Sequence, residues 1–480
     1  MFYEDPENGQ SREVKQPHND KNCQIMIDNS DNILKTLKTL WQDQSMCDVY
    51  LKVGGKQYGA HRFILSSNSD VFQAMLMNSA WSEWKESHIE LQELPICESV
   101  FQAFLEYFYT GKILITHTNV VPILALADKY LVKGLQRNCI TYMSYHVPHA
   151  AYHNQLSPWL QYSYICNHEE TLTSCKNFFK WNFEAVAKTT DYGNVDCDIF
   201  IKIISSDDVV VHNEMMLYHC VVRWLDLQRA KVNKSAKEYK ELVEMVMMNI
   251  RFPMMTPREL AELLISPLIK QHEQFFVDRM AIGMKYHSGF EDQLERHYVE
   301  ERHLFIPRLY TSDSRSAVLN IDNFWDLQSY HVSTFVFSSL LSAAEHDSHK
   351  ISEWEVKLYP KGVHFKKCYL ICWQGTMEVP EEILKTVRLS LTCGESANAN
   401  VRVKVSVLIY GIQGGVEHVM QIIEKSHYFN AQSNILNMDD LIPFHVLNPG
   451  ASLDPTYENP YLIGPNKNQL KLTIVIAPIQ

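Results

Sequence analysis

Residues 46–72 read Met-Cys-Asp-Val-Tyr-Leu-Lys-Val-Gly-Gly-Lys-Gln-Tyr-Gly-Ala-His-Arg-Phe-Ile-Leu-Ser-Ser-Asn-Ser-Asp-Val-Phe. Val49, Leu51 and Val53 alternate with Tyr50 and Lys52, and after Gly54-Gly55 a second short run passes through Gln57 and Tyr58. Apolar alternation around a Gly-Gly pair predicts a β-hairpin. Phe63, Ile64, Phe72, Met75 and Leu76 then recur at helical spacing. Upstream, a helix is expected from Asn32, capped by Asp31 or Asn32, with Ile33, Leu34, Leu37, Leu40 and Trp41 on one face. Nothing local covers that stripe. Residues 1–28 carry few apolar side chains and are expected to be a disordered tail.

Downstream, the loop from Ser79 runs into a strand at His88–Leu91, and Pro95 starts a helix through Phe101, Phe104, Leu105 and Phe108. Gly111 can close that helix in the left-handed conformation. Two further helices, Asn119–Tyr130 and Val132–Tyr145, complete an α/β domain. The whole string closely resembles the BTB (POZ) domain, a protein–protein association module. The resemblance lies in Asp48, His61, Arg62, Leu65, Ser69 and Phe72, and in Tyr107-Phe-Tyr-Thr-Gly.

From 148 to about 290 the pattern is helical, with stripes at Leu217, Val221, Trp224 and Leu225 and at Leu242, Met245, Val246 and Met248. Asp207–Tyr218 and Ile250–Leu260 together resemble the BACK domain, the helical extension that often follows BTB. Asn213 can cap a helix there, with Glu214 in its first turn. The charge-rich stretch 291–308, containing Pro307, reads as a linker. Beyond it the period becomes two, at Trp354–Tyr359, Val401–Tyr410 and Leu470–Ile476, which predicts an antiparallel β domain. Trp354-Glu-Val-Lys-Leu-Tyr-Pro-Lys-Gly, followed by Cys368-Tyr-Leu, resembles the TRAF-like (MATH) β-sandwich.

The expected architecture is therefore multidomain, α/β plus all-α plus all-β: a tail (1–28), a BTB/POZ domain (29–147), a helical BACK domain (148–290), a linker (291–308) and a TRAF-like sandwich (309–480). BTB–BACK–TRAF-like, rather than MATH before BTB, is the order of the family called BTB/POZ domain-containing protein 17, which the chain resembles. No kelch-type or other internal repeat is found.

Composition narrows the function. In 480 residues, hydrophobic side chains make up 46% and charged ones 21%, enough to bury several cores. A net charge of −12 argues against general affinity for nucleic acid or anionic membrane. Lys361, Lys366 and Lys367 read as a solvated strand edge. The eleven cysteines form no CxxC, so buried free thiols are expected. The N-terminus lacks the apolar core of a secretory signal, and no apolar run is long enough to span a membrane. A soluble protein of the cytoplasm or nucleus is expected.

Catalytic signatures are missing: there is no GxSxG, phosphate loop, HExxH or GxGxxG. No cofactor is expected, and the chain is read as a non-enzyme. His146, His149 and His153 have a spacing that suits one helical face, but Pro148 interrupts it, and solvated surface histidines are expected.

The site residues follow from the resemblance. It implies that Ile33, Leu34, Leu37, Leu40 and Trp41 pack across a two-fold dimer interface. Asp48 and Arg62 would form a charged pair beside that interface or within the domain. Trp81-Ser82-Glu83 has the hydrophobic-x-Glu pattern with which BTB adaptors contact cullin-3, although Trp84 could anchor instead. The sandwich would capture an extended peptide from an unidentified protein, with Tyr359 and Trp373 as candidate aromatics and Trp354 as core. These expectations describe a dimeric adaptor of a cullin-3 ubiquitin ligase; the alternative is a dimeric scaffold with no cullin role. Transcriptional repression would need a DNA-binding module, and neither zinc-finger spacing nor a basic region is present.

Overall fold

The computed structural model describes residues 28–231, 236–363, 370–372, 375–377, 385–394, 401–449 and 458–479. The described residues form two compact units: those up to 114 with 122–136, and 115–121 with those from 137 onward.

The first unit contains α1 (Ser30–Gln42), β1 (Val49–Val53), β2 (Lys56–Ala60), α2 (Arg62–Asn68), α3 (Asp70–Met77), β3 (His88–Glu90), α4 (Pro95–Thr110) and most of α5 (Val120–Lys129). The hairpin forms as its sequence demands. Val53 pairs with Lys56 across Gly54 and Gly55, whose φ angles of 54° and 78° only glycine adopts readily. β3 then adds to β1 in parallel, giving the order β2-β1-β3. Val49, Leu51 and Val53 all face the core. Ser69 accepts the Phe72 amide to cap α3, and its hydroxyl donates to the Tyr130 carbonyl at 2.5 Å. Pro95 opens α4 and Gly111, at φ 63°, ends it. α1 begins at Ser30, earlier than expected. Its N-cap position is Asn29, which makes no side-chain cap, so neither Asp31 nor Asn32 serves.

In the second unit the helical stretch holds, among others, Leu156–Ile165, Glu169–Trp181, Glu214–Lys231 and Glu273–His287. α6 (Lys133–Tyr152) leads toward it and leaves helical geometry at His146, just before Pro148, which cannot donate to the helical ladder. Leu217, Val221, Trp224, Leu225, Leu242 and Val246 are buried as the stripes predict, but Met245 and Met248 are exposed and Val243 and Met247 take their places. The helical region also contains one strand, β4 (Val210–Val211), paired in parallel with β5 (Leu309–Tyr310). The supposed linker 291–308 is folded: it holds the helix Glu295–Glu300, and Leu294, Leu304 and Phe305 pack with Ile282, Tyr286 and Ala344.

The remaining strands are β6 (Ser316–Ile321), β7 (Ser333–Leu340), β8 (Ile351–Tyr359), β9 (Leu370–Cys372), β10 (Gly375–Met377), β11 (Arg388–Cys393), β12 (Val401–Gln413), β13 (Val416–Phe429), β14 (Ile435–Met438), β15 (Leu462–Ile463) and β16 (Gln469–Pro478). One sheet runs β14-β11-β8-β7; the other runs β13-β12-β16-β15, with β6 also paired to β16. Trp354, Val356, Leu389, Val405, Ile474 and their neighbours fill the space between the two sheets. Every assigned pairing within the two sheets is antiparallel, as the period of two requires. Period two fails in one instructive place. β12 and β16 bury both faces, because Leu408 and Val475, with Val419 of β13, pack outward against Val210 and Leu309. The helical region thus covers the second sheet.

Eight described cysteines are free thiols, four of them buried, and burial pushes Cys175 up to about 12. No described helix is long and apolar enough to cross a membrane.

Candidate protein-interaction surfaces

α1 shows a graded apolar face. Trp41 is buried and stacks on Tyr109 with ring centroids 5.1 Å apart, Leu37 and Leu40 are half-buried, and Ile33 and Leu34 are 59% and 45% exposed. The C-terminal end of the stripe is therefore anchored on its own domain. The N-terminal end is not. Burying a side chain of this size contributes about 1.5–3 kcal/mol, so the uncovered end is a surface that gains by being covered.

Asp48 and Arg62 do not form the expected ion pair. The Asp48 carboxylate accepts the backbone amide of Arg62 at 2.8 Å, capping the start of α2, and Asp48 stays exposed. The guanidinium turns to the loop beyond α3, donating to the carbonyls of Leu76 (3.0 Å) and Trp84 (3.1 Å), more weakly to Glu83, and to Glu86. Five fixed donors on a planar fork suit such a set of main-chain oxygens. What Arg62 does locally is hold residues 76–86 in shape.

That loop carries the second surface. Trp81 precedes a single 3-10 turn, Ser82–Trp84, and is 51% exposed; Trp84 is 41% exposed. The Ser82 hydroxyl donates to Glu83 Oε2 at 2.8 Å. The Glu83 amide and this hydroxyl hold the carboxyl below its usual range, so Glu83 is an anion at neutral pH. Two exposed indoles, a side-chain type enriched at interface anchors, thus flank a carboxylate.

In the second unit, Glu214 stands in the first turn of the helix Glu214–Lys231. Asn213 does cap that helix, accepting the Met216 amide at 2.8 Å, but Glu214 is buried. Its Oε1 accepts the Arg251 amide at 2.8 Å; its Oε2 accepts Arg308 Nε at 3.1 Å and the Tyr310 hydroxyl at 2.6 Å. Arg308 also donates to the carbonyls of Ser206 and, at 2.8 Å, Asn249. Arg251 pairs with Asp207 and donates to the Ile306 carbonyl at 2.6 Å. Two guanidinium groups and two carboxylates balance in charge. Burial and the neighbouring carboxylate together push the Tyr310 hydroxyl well above its ordinary pKa, so it stays a donor. This hub ties the helical region to the first residues of the sandwich. A second contact lies nearby: His287 Nδ1 accepts the Glu345 amide at 3.1 Å, while Nε2 meets the Met255 carbonyl at 2.5 Å.

Of the peptide-binding candidates, Tyr359 is half-buried on β8, facing away from the core-directed Leu358, and Trp373 lies outside the described residues. Trp354 is core, as expected. Lys361 is not a solvated edge: its ammonium sits 3.9 Å from the Phe324 ring centroid and 5.4 Å from that of Trp325. Lys366 and Lys367 lie outside the described residues. The histidines also rearrange. His146 stacks on Tyr142, whereas His149 and His153 meet His117, a residue the sequence pattern did not single out. Only a fold that returns residue 117 to α6 could have revealed that group.

Comparison with known families matches three models in sequence order. They are the BTB/POZ domain over residues 37–147, the BACK domain ("BTB And C-terminal Kelch") over 156–264, and the "BTBD17 TRAF domain" over 305–480. The chain thus carries BTB, BACK and TRAF domain matches in that order. It is similar to human BTB/POZ domain-containing protein 17, 26% identical over 342 residues that cover 70% of this chain and 67% of the relative. It is also similar to human Kelch-like protein 24, 28% identical over 234 residues, 48% of this chain and 36% of the relative. Rat galectin-3-binding protein is 26% identical over 369 residues, 75% of this chain and 60% of that protein. The fold across these three matches is mixed: α/β, then helical, then antiparallel β. These three domain families are typical of non-enzymatic adaptor proteins. The hub of Glu214, Arg251 and Arg308 lies where the BACK and TRAF matches adjoin.

Proposed function

We propose that the protein is a dimeric, non-catalytic adaptor of a cullin-3 ubiquitin ligase, with the TRAF domain capturing the protein to be modified. The observation that carries this reading is the pair of uncovered apolar surfaces on the BTB domain: Ile33 and Leu34 on α1, and Trp81 on the loop clasped by Arg62. In this reading α1 joins two copies across a two-fold axis, with Leu37, Leu40 and Trp41 continuing the stripe and Asp48 and Arg62 at its margin. Trp81 and Glu83 contact cullin-3. The sandwich binds an extended peptide, with Tyr359 and Trp373 as contacts. Proximity is the mechanism: a captured substrate is held at high effective concentration near a ubiquitin-charged enzyme, and two arms add avidity. The proposed location is the cytoplasm or nucleus.

Two measurements test it. Light scattering on the purified chain should give a dimer, and Ile33→Asp with Leu34→Asp a monomer; a wild-type monomer at all workable concentrations removes the two-armed adaptor. Pull-down should recover cullin-3 with wild type and lose it with Trp81→Ala plus Glu83→Ala. Failure to recover cullin-3 with a folded, dimeric wild type leaves the scaffold without a ligase role.

A further inference from the structure

His117, His149 and His153 come from two separate pieces of chain, the 115–121 segment and residues 149–153, where α6 ends beyond its bend. The three ring centroids lie 5.0, 4.3 and 4.2 Å apart for the pairs 117–149, 117–153 and 149–153. One ligating nitrogen from each ring lies within 4.8 Å of the others. Three nitrogens around a tetrahedral zinc, at bonds of roughly 2.0–2.1 Å, stand about 3.3–3.4 Å apart.

We infer that His117, His149 and His153 form a binding site for a divalent cation of the zinc class, with a fourth coordination position open to solvent. Several features support the assignment. The Trp159 indole donates to the His117 carbonyl at 3.1 Å and holds that segment in place. His153 Nδ1 meets the His149 carbonyl at 2.9 Å, which orients the ring and leaves its Nε2 for a ligand, the backbone support common behind metal-bound imidazoles. His149 Nδ1 is buried without a hydrogen-bond partner. His153 is exposed while the other two are half-buried, which leaves the open face toward water. All-imidazole donors favour zinc or copper over calcium or magnesium. A bound ion would cross-link the 115–121 segment to α6. The site also borders the turn between β12 and β13, since a Cβ placed on Gly414 would lie 3.4 Å from His149 Cβ. His146, engaged with the Tyr142 carbonyl at 2.8 Å, takes no part.

The test uses the full chain stripped of metal by chelator and titrated with cobalt(II). One equivalent should produce the visible absorption of a low-coordinate cobalt–nitrogen site, and zinc should displace it. His117→Gln, His149→Gln and His153→Gln should each weaken binding at least about tenfold. The triple variant should lose the band, and His146→Gln should keep it. No band in wild type, or a band that survives in the triple variant, overturns the site. Should the triple variant fail to fold, zinc-edge absorption spectroscopy on wild type decides: a shell containing three imidazole nitrogens supports the assignment. A sulfur-rich or all-oxygen shell, meaning an adventitious ion only, rejects it.

Discussion

Two arginines show how differently this chain uses the same side chain. Arg308 is fully buried, and its charge meets the buried Glu214 carboxylate and two carbonyls; the neighbouring Arg251 is answered by Asp207. Arg62 is half-buried and meets only main-chain carbonyls, along a loop whose two tryptophans face solvent. The first arrangement completes itself and fixes the helical region to the sandwich. The second holds a shape and leaves its apolar groups uncovered. A surface of the second kind stays open to solvent.

The comparison breaks most readily at Glu214. Glu214→Gln removes the anion that balances a fully buried guanidinium, and should lower the unfolding free energy by about 3–5 kcal/mol, read from the urea midpoint. A shift below about 1 kcal/mol would mean that water reaches Arg308. Glu214→Leu combined with Arg308→Met should cost less than Glu214→Leu alone, because no unpaired charge is then left inside.

Arg62→Ala is the matching cut in the other region. It frees several carbonyls that can turn to solvent, so the expected loss is about 1–3 kcal/mol and local. Amide exchange should quicken in residues 81–86 while β1 and α4 stay protected. Uniform quickening across the whole domain would instead make Arg62 a core residue and undo the contrast.

Acid should sharpen it further. Burial keeps His287 below the ordinary value of 6.5, so the native chain binds fewer protons here than the unfolded chain does. Its contribution is present above that value and is lost as pH falls through it. Protonation would also place a hydrogen on Nδ1, which now accepts the Glu345 amide. The unfolding midpoint should therefore drop between about pH 7 and pH 5, and more shallowly in His287→Gln. Identical slopes would show that this contact carries no proton linkage.

What the sequence made legible follows from which signals are local. The hairpin at Gly54-Gly55, the Pro95–Gly111 helix and the alternation of Trp354–Tyr359 each depend on neighbours a few residues apart, and each forms as expected. Ile33 and Leu34 were legible as apolar residues without local cover. The Glu214–Arg308 pair, 94 residues apart, was not, because a helix-start carboxylate looks the same whether solvated or buried. The partners of Arg62 were not legible either, because the residues it clasps present carbonyls, which every residue type has. The 291–308 stretch looked like a linker because its many charges outweigh Leu294, Leu304 and Phe305, the few residues that bury it.

The smallest expected effect on stability falls at Trp81. Its ring is 51% exposed, and the loop geometry is set by the Arg62 guanidinium rather than by the indole. Trp81→Ala should therefore leave the unfolding midpoint within about 0.5 kcal/mol of wild type, the range usual for exposed positions. A large, rigid side chain that contributes so little to its own fold, beside an ionised Glu83, is suited to contacts made outside the domain. Thermal unfolding of the purified variant decides between the two: a loss above about 1 kcal/mol would make Trp81 a packing residue of its own domain and remove the distinction between the loop and the hub.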